Sequence, residues 1–380
     1  MKARSVRIWS IVHRWTSLVS TVFLLLLCLT GLPLIFHHEI DELLGYAPRP
    51  DTALAGEQRA TVDRIARAAL ATDPGKVLQY IAWDKDEPGI VVAYTNSAAD
   101  GKPDDAVVRA FDAHSARLLG PVGTGPMLVL LKLHTDMFLG QPGKLFLGGM
   151  GMLLLIAIIS GVVLYWPFTR RLEFGTLRQG KSNRILWLDW HNLLGVTTVV
   201  WVFVVGATGV INTWAEPMLD QWRGNELADM VASSAGGGAA PFRKASLDRI
   251  VDNATRTAAG MEVAFIAFPG TPFSSSHHFA AFMRGDRPLT SRLLKPILLD
   301  ATTAEVADTR DLPLYLKALF VSQPLHFGDY GRMPLKIIWA LLDAFTIVVI
   351  GSGLYLYLVR RRKTGHRRTY SGIDTYTART

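Results

Sequence analysis

LWLDWHNLLGVTTVVWVFVVGATGVINTW, residues 186–214, decides the fold. It is apolar and long enough to cross the roughly 30 Å hydrocarbon core of a bilayer, which takes about 20 helical residues. It also carries His191 near one end and Thr208-Gly209 near the other, and residues 8–36 repeat that arrangement with His13 and Thr30-Gly31 at the same offset. Two further apolar runs, 145–166 and 335–359, share a second pattern. His134 and His326 precede them, each followed at matching offsets by an aromatic (Phe138, Tyr330), a lysine (Lys144, Lys336), a Ser-Gly pair (Ser160-Gly161, Ser352-Gly353) and a tyrosine (Tyr165, Tyr357). Such matches indicate a duplicated unit.

The chain has 380 residues, of which 49% are hydrophobic, and its four long runs make it a polytopic membrane protein. Lysine and arginine accumulate at cytoplasmic membrane ends. Here they gather at Lys2, Arg4 and Arg7, in the short connection (Arg170, Arg171, Arg178, Lys181, Arg184) and in the tail (Arg360, Arg361, Arg362, Lys363, Arg367, Arg368). Four crossings put all three clusters on one face, so both termini are expected in the cytoplasm and the two long connections outside. The first run is read as a retained helix, being too long for a secretory signal and without a small-residue cleavage site. The net charge of +8 then reflects topology, and no nucleic-acid partner is expected. Cys28 is the only cysteine, which excludes disulfides, thiolate-bound clusters and a C-x-x-C-H haem attachment. Neither a G-x-G-x-x-G after a strand pattern nor a Walker-type run is present.

The exterior segments also match each other. Val62-Asp63-Arg64-Ile65 returns as Leu247-Asp248-Arg249-Ile250, each opening an amphipathic helical pattern. β-rich runs follow at 77–83 and 262–268, 89–95 and 278–284, 107–112 and 295–300, with turn signals such as Asp73-Pro74-Gly75 and Pro269-Gly270 between them. Residues 235–240, with three glycines, read as a flexible insertion. The expected fold class is an α-helical integral membrane protein, a four-helix transmembrane bundle of two tandem pseudo-symmetric halves with two periplasmic α+β units. Its parts are a first helix with a cytoplasmic N-terminus (1–37), exterior unit one (38–125), an interfacial segment and second helix (126–168), a cytoplasmic loop (169–185), the third helix (186–214), exterior unit two (215–311), an interfacial segment and fourth helix (312–359), and a cytoplasmic tail (360–380). Halves that each cross twice keep one orientation and are related by an axis along the membrane normal.

Residues at equivalent positions face each other across such an axis, and helix bundles build cofactor sites from inward side chains. On the face of His13 stand Ser17 and Ser20, and on that of His191 stand Gly195 and Thr198, small residues that leave room for a flat, bulky group. Gly31 and Gly209 return to that face about 27 Å along the helix axis, the level expected for His134 and His326. The economical reading is two b-type haems, His13 and His191 ligating one near the cytoplasmic face and His134 and His326 the other near the exterior. The bland alternative is four interfacial helix-end histidines, but intramembrane ionisable groups default to function. His37 and His38, beside Glu39, Asp41 and Glu42, read as solvated interface residues, with a divalent ion or a role at the outer haem as the alternative. His277-His278 opens a strand, where adjacent side chains point to opposite faces and chelate poorly. His114 and His366 read as surface residues. Lys144, Lys336 and Arg332 are candidates for haem propionates, with snorkelling as the alternative for the lysines. Trp15, Trp187, Trp190 and Trp339 suit an aromatic belt or helix packing.

His13-Arg14-Trp15, Leu133-His134, Trp190-His191 with Leu194-Gly195, and Leu325-His326-Phe327-Gly328 together resemble the PepSY-associated transmembrane family. The exterior units look like PepSY domains, and within the family the chain is most similar to inner-membrane siderophore reductases of the ferrioxamine type. The resemblance implies a di-haem oxidoreductase of the bacterial inner membrane. It would take electrons from a quinol or a cytoplasmic donor and reduce a ferric siderophore in the periplasm, releasing Fe(II) for uptake. Two rivals remain: a b-type cytochrome feeding a periplasmic protein, and a non-redox siderophore carrier or PepSY sensor.

Overall fold

A computed structural model describes residues 2–51, 58–85, 87–169, 173–234, 244–285 and 291–374. The chain opens with α1 (Ala3–Leu34) and a short α2 (His37–Leu44), then forms α3 (Val62–Thr72) and the strands β1 (Val77–Trp83), β2 (Ile90–Asn96), β3 (Val107–Asp112) and β4 (Leu118–Pro121). A short α4 (Pro126–Thr135) leads into α5 (Gln141–Thr169), and α6 (Asn183–Thr213) follows. Next come α7 (Ala215–Trp222), α8 (Ala228–Ser233), α9 (Leu247–Thr257), β5 (Met261–Ala267), β6 (His278–Gly285), β7 (Leu294–Asp300), β8 (Val306–Thr309), α10 (Leu314–Phe327) and α11 (Arg332–Asp374). The Gly-rich stretch 235–240, Arg170 and Arg171 lie outside the described residues, as do the side chains of the tail beyond Arg360.

Among the described residues four helices are long and apolar enough to span a bilayer: Ala3–Leu34, Gln141–Pro167, Asn183–Thr213 and Arg332–Arg360. Their outward side chains suit lipid rather than water, with Val22 71% and Val200 75% exposed. α1 packs on α5 and α11, and α6 packs on the same two, so α1 and α6 stand diagonally across the bundle. This unit comprises residues 1–36, 130–213 and 325–380. Within it the connection before α6 is clamped: Arg178 donates from Nη2 to Asp189 Oδ1 at 2.6 Å, and its backbone N–H donates to Oδ2 at 3.0 Å. Arg178, which the charge pattern assigns to topology alone, therefore also fixes the start of α6.

Residues 37–129 and 214–324 form a second unit. The sequence separates them into two units, but their strands join in one antiparallel sheet of eight, ordered β4-β3-β2-β1-β5-β6-β7-β8. The seam is the pairing of β1 with β5, where Ile81 lies opposite Ile266. Joining there leaves neither first strand as an open edge. Helices α3 and α9 bury the apolar positions their periodicity marks, Val62, Ile65, Ala66 and Ala69 in one and Leu247, Ile250 and Ala254 in the other. These pack with Ile81, Phe111, Ile266, Phe279 and Leu299 into one core.

The repeated Asp63 and Asp248 tie the helices together. Asp248 Oδ1 accepts the Val62 N–H at 2.8 Å, and Asp63 Oδ1 accepts the Leu247 N–H at 2.9 Å. Each carboxylate thus satisfies orphan donors at the start of the other helix, where the helix dipole also favours negative charge. Asp63→Ala and Asp248→Ala are each expected to cost about 1 kcal/mol, as lost helix caps do, seen as a lower thermal midpoint of the detergent-solubilised protein. An unchanged midpoint in both would mean the exchange contributes nothing.

Candidate functional site

His13 on α1 and His191 on α6 lie across the bundle with ring centroids 6.5 Å apart and planes at 75°. His134 on α4 and His326 on α10 form a second pair at 6.2 Å and 64°. All four belong to the bundle unit. Two metal–imidazole bonds of about 2 Å each, with roughly 1.1 Å from each nitrogen to its ring centre, separate the centroids of a bis-imidazole pair by about 6 Å. Both pairs have that spacing, at angles that also suit an edge-to-face ring contact.

Each imidazole is held by its Nδ1. His13 Nδ1 lies 2.9 Å from Ala157 O, His191 Nδ1 3.0 Å from Val349 O, and His326 Nδ1 2.9 Å from Val205 O. A carbonyl only accepts, so in these three Nδ1 carries the proton and Nε2 keeps a lone pair for a metal. His134 Nδ1 lies 2.9 Å from Thr30 Oγ1, whose own hydrogen goes to Leu26 O at 2.8 Å, so this hydroxyl also accepts. Burial and the neighbouring His326 push His134 down to about 4, and burial pushes His326 down as well. Both rings are therefore neutral at physiological pH, the form that ligates.

The same four histidines rest on four glycines. A Cβ built on Gly161 would stand 3.1 Å from His13 Cε1, on Gly353 3.3 Å from His191 Cε1, on Gly31 3.2 Å from His134 Cε1, and on Gly209 3.0 Å from His326 Cε1. The residue before each glycine brings a hydroxyl to the same ring: Ser160 at 3.3 Å, Ser352 at 3.0 Å, Thr30 at 2.9 Å and Thr208 at 3.4 Å. All four hydroxyl residues are buried, between 0% and 7% exposed. Every Ser-Gly or Thr-Gly pair in the repeat is thus a seat for a histidine from another helix. Sequence reading places Gly31 and Gly209 at the level of His134 and His326 and leaves the two Ser-Gly pairs without a role. The equal offsets were the available signal, but the partner lies more than a hundred residues away.

Other expected features take simpler places. Ser17 and Ser20 on α1 and Thr198 on α6 return their hydroxyls to backbone carbonyls one turn back, while a Cβ on Gly195 would meet nothing within 4 Å. His38 pairs through Nε2 with Glu87 at 2.9 Å in the sheet unit. His278 is buried and bonded to Ser275 Oγ at 2.7 Å, which accounts for it as a strand-end contact. Lys144 starts α5, and Arg332 and Lys336 start α11, the ends of those helices that follow His134 and His326.

Among the described residues no three His, Cys, Asp or Glu side chains gather as a bare ion would require. Two neutral imidazoles suit a metal whose remaining ligands come with it, as in a macrocycle. The model of the family described as PepSY-associated TM region matches residues 10–360. A protein of Pseudomonas aeruginosa, described only as uncharacterized, is 25% identical over 262 residues, a stretch covering 61% of this chain and 63% of that protein. The chain therefore spans less than two thirds of that relative's length.

The seats make a local prediction. Gly209→Val should push the His326 ring off its seat and cost about 1–3 kcal/mol by overpacking, seen as a lower thermal midpoint of the detergent-solubilised protein, whereas Gly149→Val, where a Cβ meets nothing within 4 Å, should leave the midpoint unchanged. Equal midpoints in both variants would show that ring position does not depend on the glycine.

Proposed function

The chain belongs to the PepSY-associated TM family, and we propose that it is a di-haem electron conduit of the bacterial inner membrane that reduces ferric siderophores in the periplasm. The observation that carries this reading is the two-level arrangement of neutral imidazole pairs, each spaced for one iron and seated the same way. The recurrence of every seat contact supports two tandem halves about an axis along the membrane normal, and the two halves of the eight-stranded sheet correspond to PepSY-like units. With basic clusters on the cytoplasmic face, His13 and His191 hold the inner haem, and His134 and His326 the outer one.

Haem b, when bound, supplies reversible one-electron chemistry. The residues do the rest. Nδ1–H bonds, to carbonyls from His13, His191 and His326 and to the Thr30 hydroxyl from His134, fix each ring and leave Nε2 as the ligand. The apolar faces of α1, α5, α6 and α11 keep water from the path. Lys144, Lys336 and Arg332 stand at the periplasmic helix ends, where they pair with propionates or snorkel to the surface. The levels lie about 27 Å apart along α1 from His13 to Gly31, so a quinol or cytoplasmic donor on one side serves an acceptor on the other. The acceptor is chosen for its chemistry: hard Fe(III) prefers siderophore oxygens, and Fe(II) holds them more weakly and is released for uptake.

Anaerobically reduced protein is expected to be reoxidised on adding ferric siderophore, with Fe(II) trapped by a ferrous chelator. His13→Ala or His191→Ala should stop that transfer from a cytoplasmic-side donor. Haem that reoxidises only with a periplasmic protein would favour the cytochrome reading. Purified protein without haem that still binds siderophore would favour a carrier or sensor.

A further inference from the structure

α11 carries one carboxylate in its spanning part, Asp343. It is 6% exposed, and its Oδ2 has no hydrogen-bond partner among the described residues. The other buried carboxylate of the spans, Asp189, is answered by Arg178. For Asp343 no ion pair is found among the described residues; the group that meets it is the thiol of Cys28 on α1. One turn before it on α11, Trp339 has a buried indole N–H without a partner among the described residues, and so does Trp201 of α6, whose ring lies 6.3 Å from that of Trp339. Cys28 is the titratable group facing Asp343 from α1, and the polar group on the α6 side, Trp201, does not titrate.

The level of this cluster follows from the helices. Asp343 lies about 15 Å along α11 from Gly353, the seat of His191, and Cys28 lies about 4.5 Å along α1 from Gly31, the seat of His134. It therefore sits between the two histidine levels, nearer the His134–His326 pair. An isolated carboxylate is costly to keep charged among apolar helices, and a buried unsatisfied oxygen calls for a proton or a water. Charges about 10 Å apart at an effective dielectric near 20 change each other's equilibria by roughly tenfold.

We propose that Asp343 is a proton acceptor linked to reduction of the outer haem: as ferric iron there gains one electron from the donor side, the Asp343 carboxylate takes one proton from water and becomes a neutral carboxylic acid. The inference rests on the di-haem reading. It gives the electron path a charge-compensating site inside the bilayer, with Cys28 holding the carboxyl in place.

The test is a spectroelectrochemical titration of the purified, haem-loaded protein over a range of pH. The outer haem's midpoint should fall as pH rises, by about 59 mV in total between its acid and alkaline limits, the tenfold coupling converted at 59 mV per tenfold for one electron. Asp343→Asn should flatten that dependence and lie above the native protein at the alkaline end, where the native carboxylate is charged, while Asp343→Glu and Cys28→Ala should keep the slope. Should Asp343→Asn not load haem, the reduced-minus-oxidised infrared spectrum of the native protein decides: a protonated carboxyl band gained on reduction supports the proposal, and its absence overturns it. Haem-loaded protein with midpoints indifferent to pH, or an unaltered slope in Asp343→Asn, overturns this inference alone. Protein that carries no haem overturns the di-haem reading and this inference with it.

Discussion

An imidazole enclosed by apolar helices has one proton to give away and no water to take it, and the bundle is arranged around where that proton goes. In each case it goes to an oxygen at or near a Ser-Gly or Thr-Gly step on another helix, and the missing glycine side chain lets the ring lie against the backbone. The bond fixes the tautomer, the tautomer leaves Nε2 unprotonated, and the glycine sets how far the ring reaches. Close packing of small residues is also what draws helices together in lipid, where no hydrophobic force does so. One set of contacts therefore brings α1 to α5 and α6 to α11 and aims the histidines across the bundle.

The sheet unit solves a parallel problem outside the spans. Each of its two helices starts with donors it cannot satisfy, and each borrows a carboxylate from the other. The turns before the outer strands are likewise alike: Asp112 Oδ1 accepts the N–H groups of His114 and Ser115, and Asp300 Oδ1 those of Thr302 and Thr303. Both units thus use one half of the chain to complete the other, so neither half is expected to fold well alone.

Much of this was legible in the sequence, for physical reasons. Spans announce themselves because lipid tolerates only long apolar helices, and β1 and β3 match the expected runs because strands of six or seven half-buried residues carry a readable pattern. The edge strands β4 and β8 escaped because four residues hold too little periodicity. The union of the two sheets escaped because strand pairing across half the chain leaves no local mark. The histidine pairs stood out through their offsets, yet the Ser-Gly seats gained a meaning only when the distant rings were placed on them. Asp343 was hidden by its surroundings, since one carboxylate hardly alters the hydropathy of a span.

The central claim is that four histidines make two bis-imidazole iron sites, and low-temperature EPR of the oxidised, purified protein tests it most directly. Imidazole planes at 75° and 64° leave the two upper filled-shell iron orbitals nearly degenerate, so two low-spin ferric signals with a large principal g value are expected, quantifying to two haems per chain. A high-spin ferric signal, a single haem per chain, or the absence of iron would contradict the account.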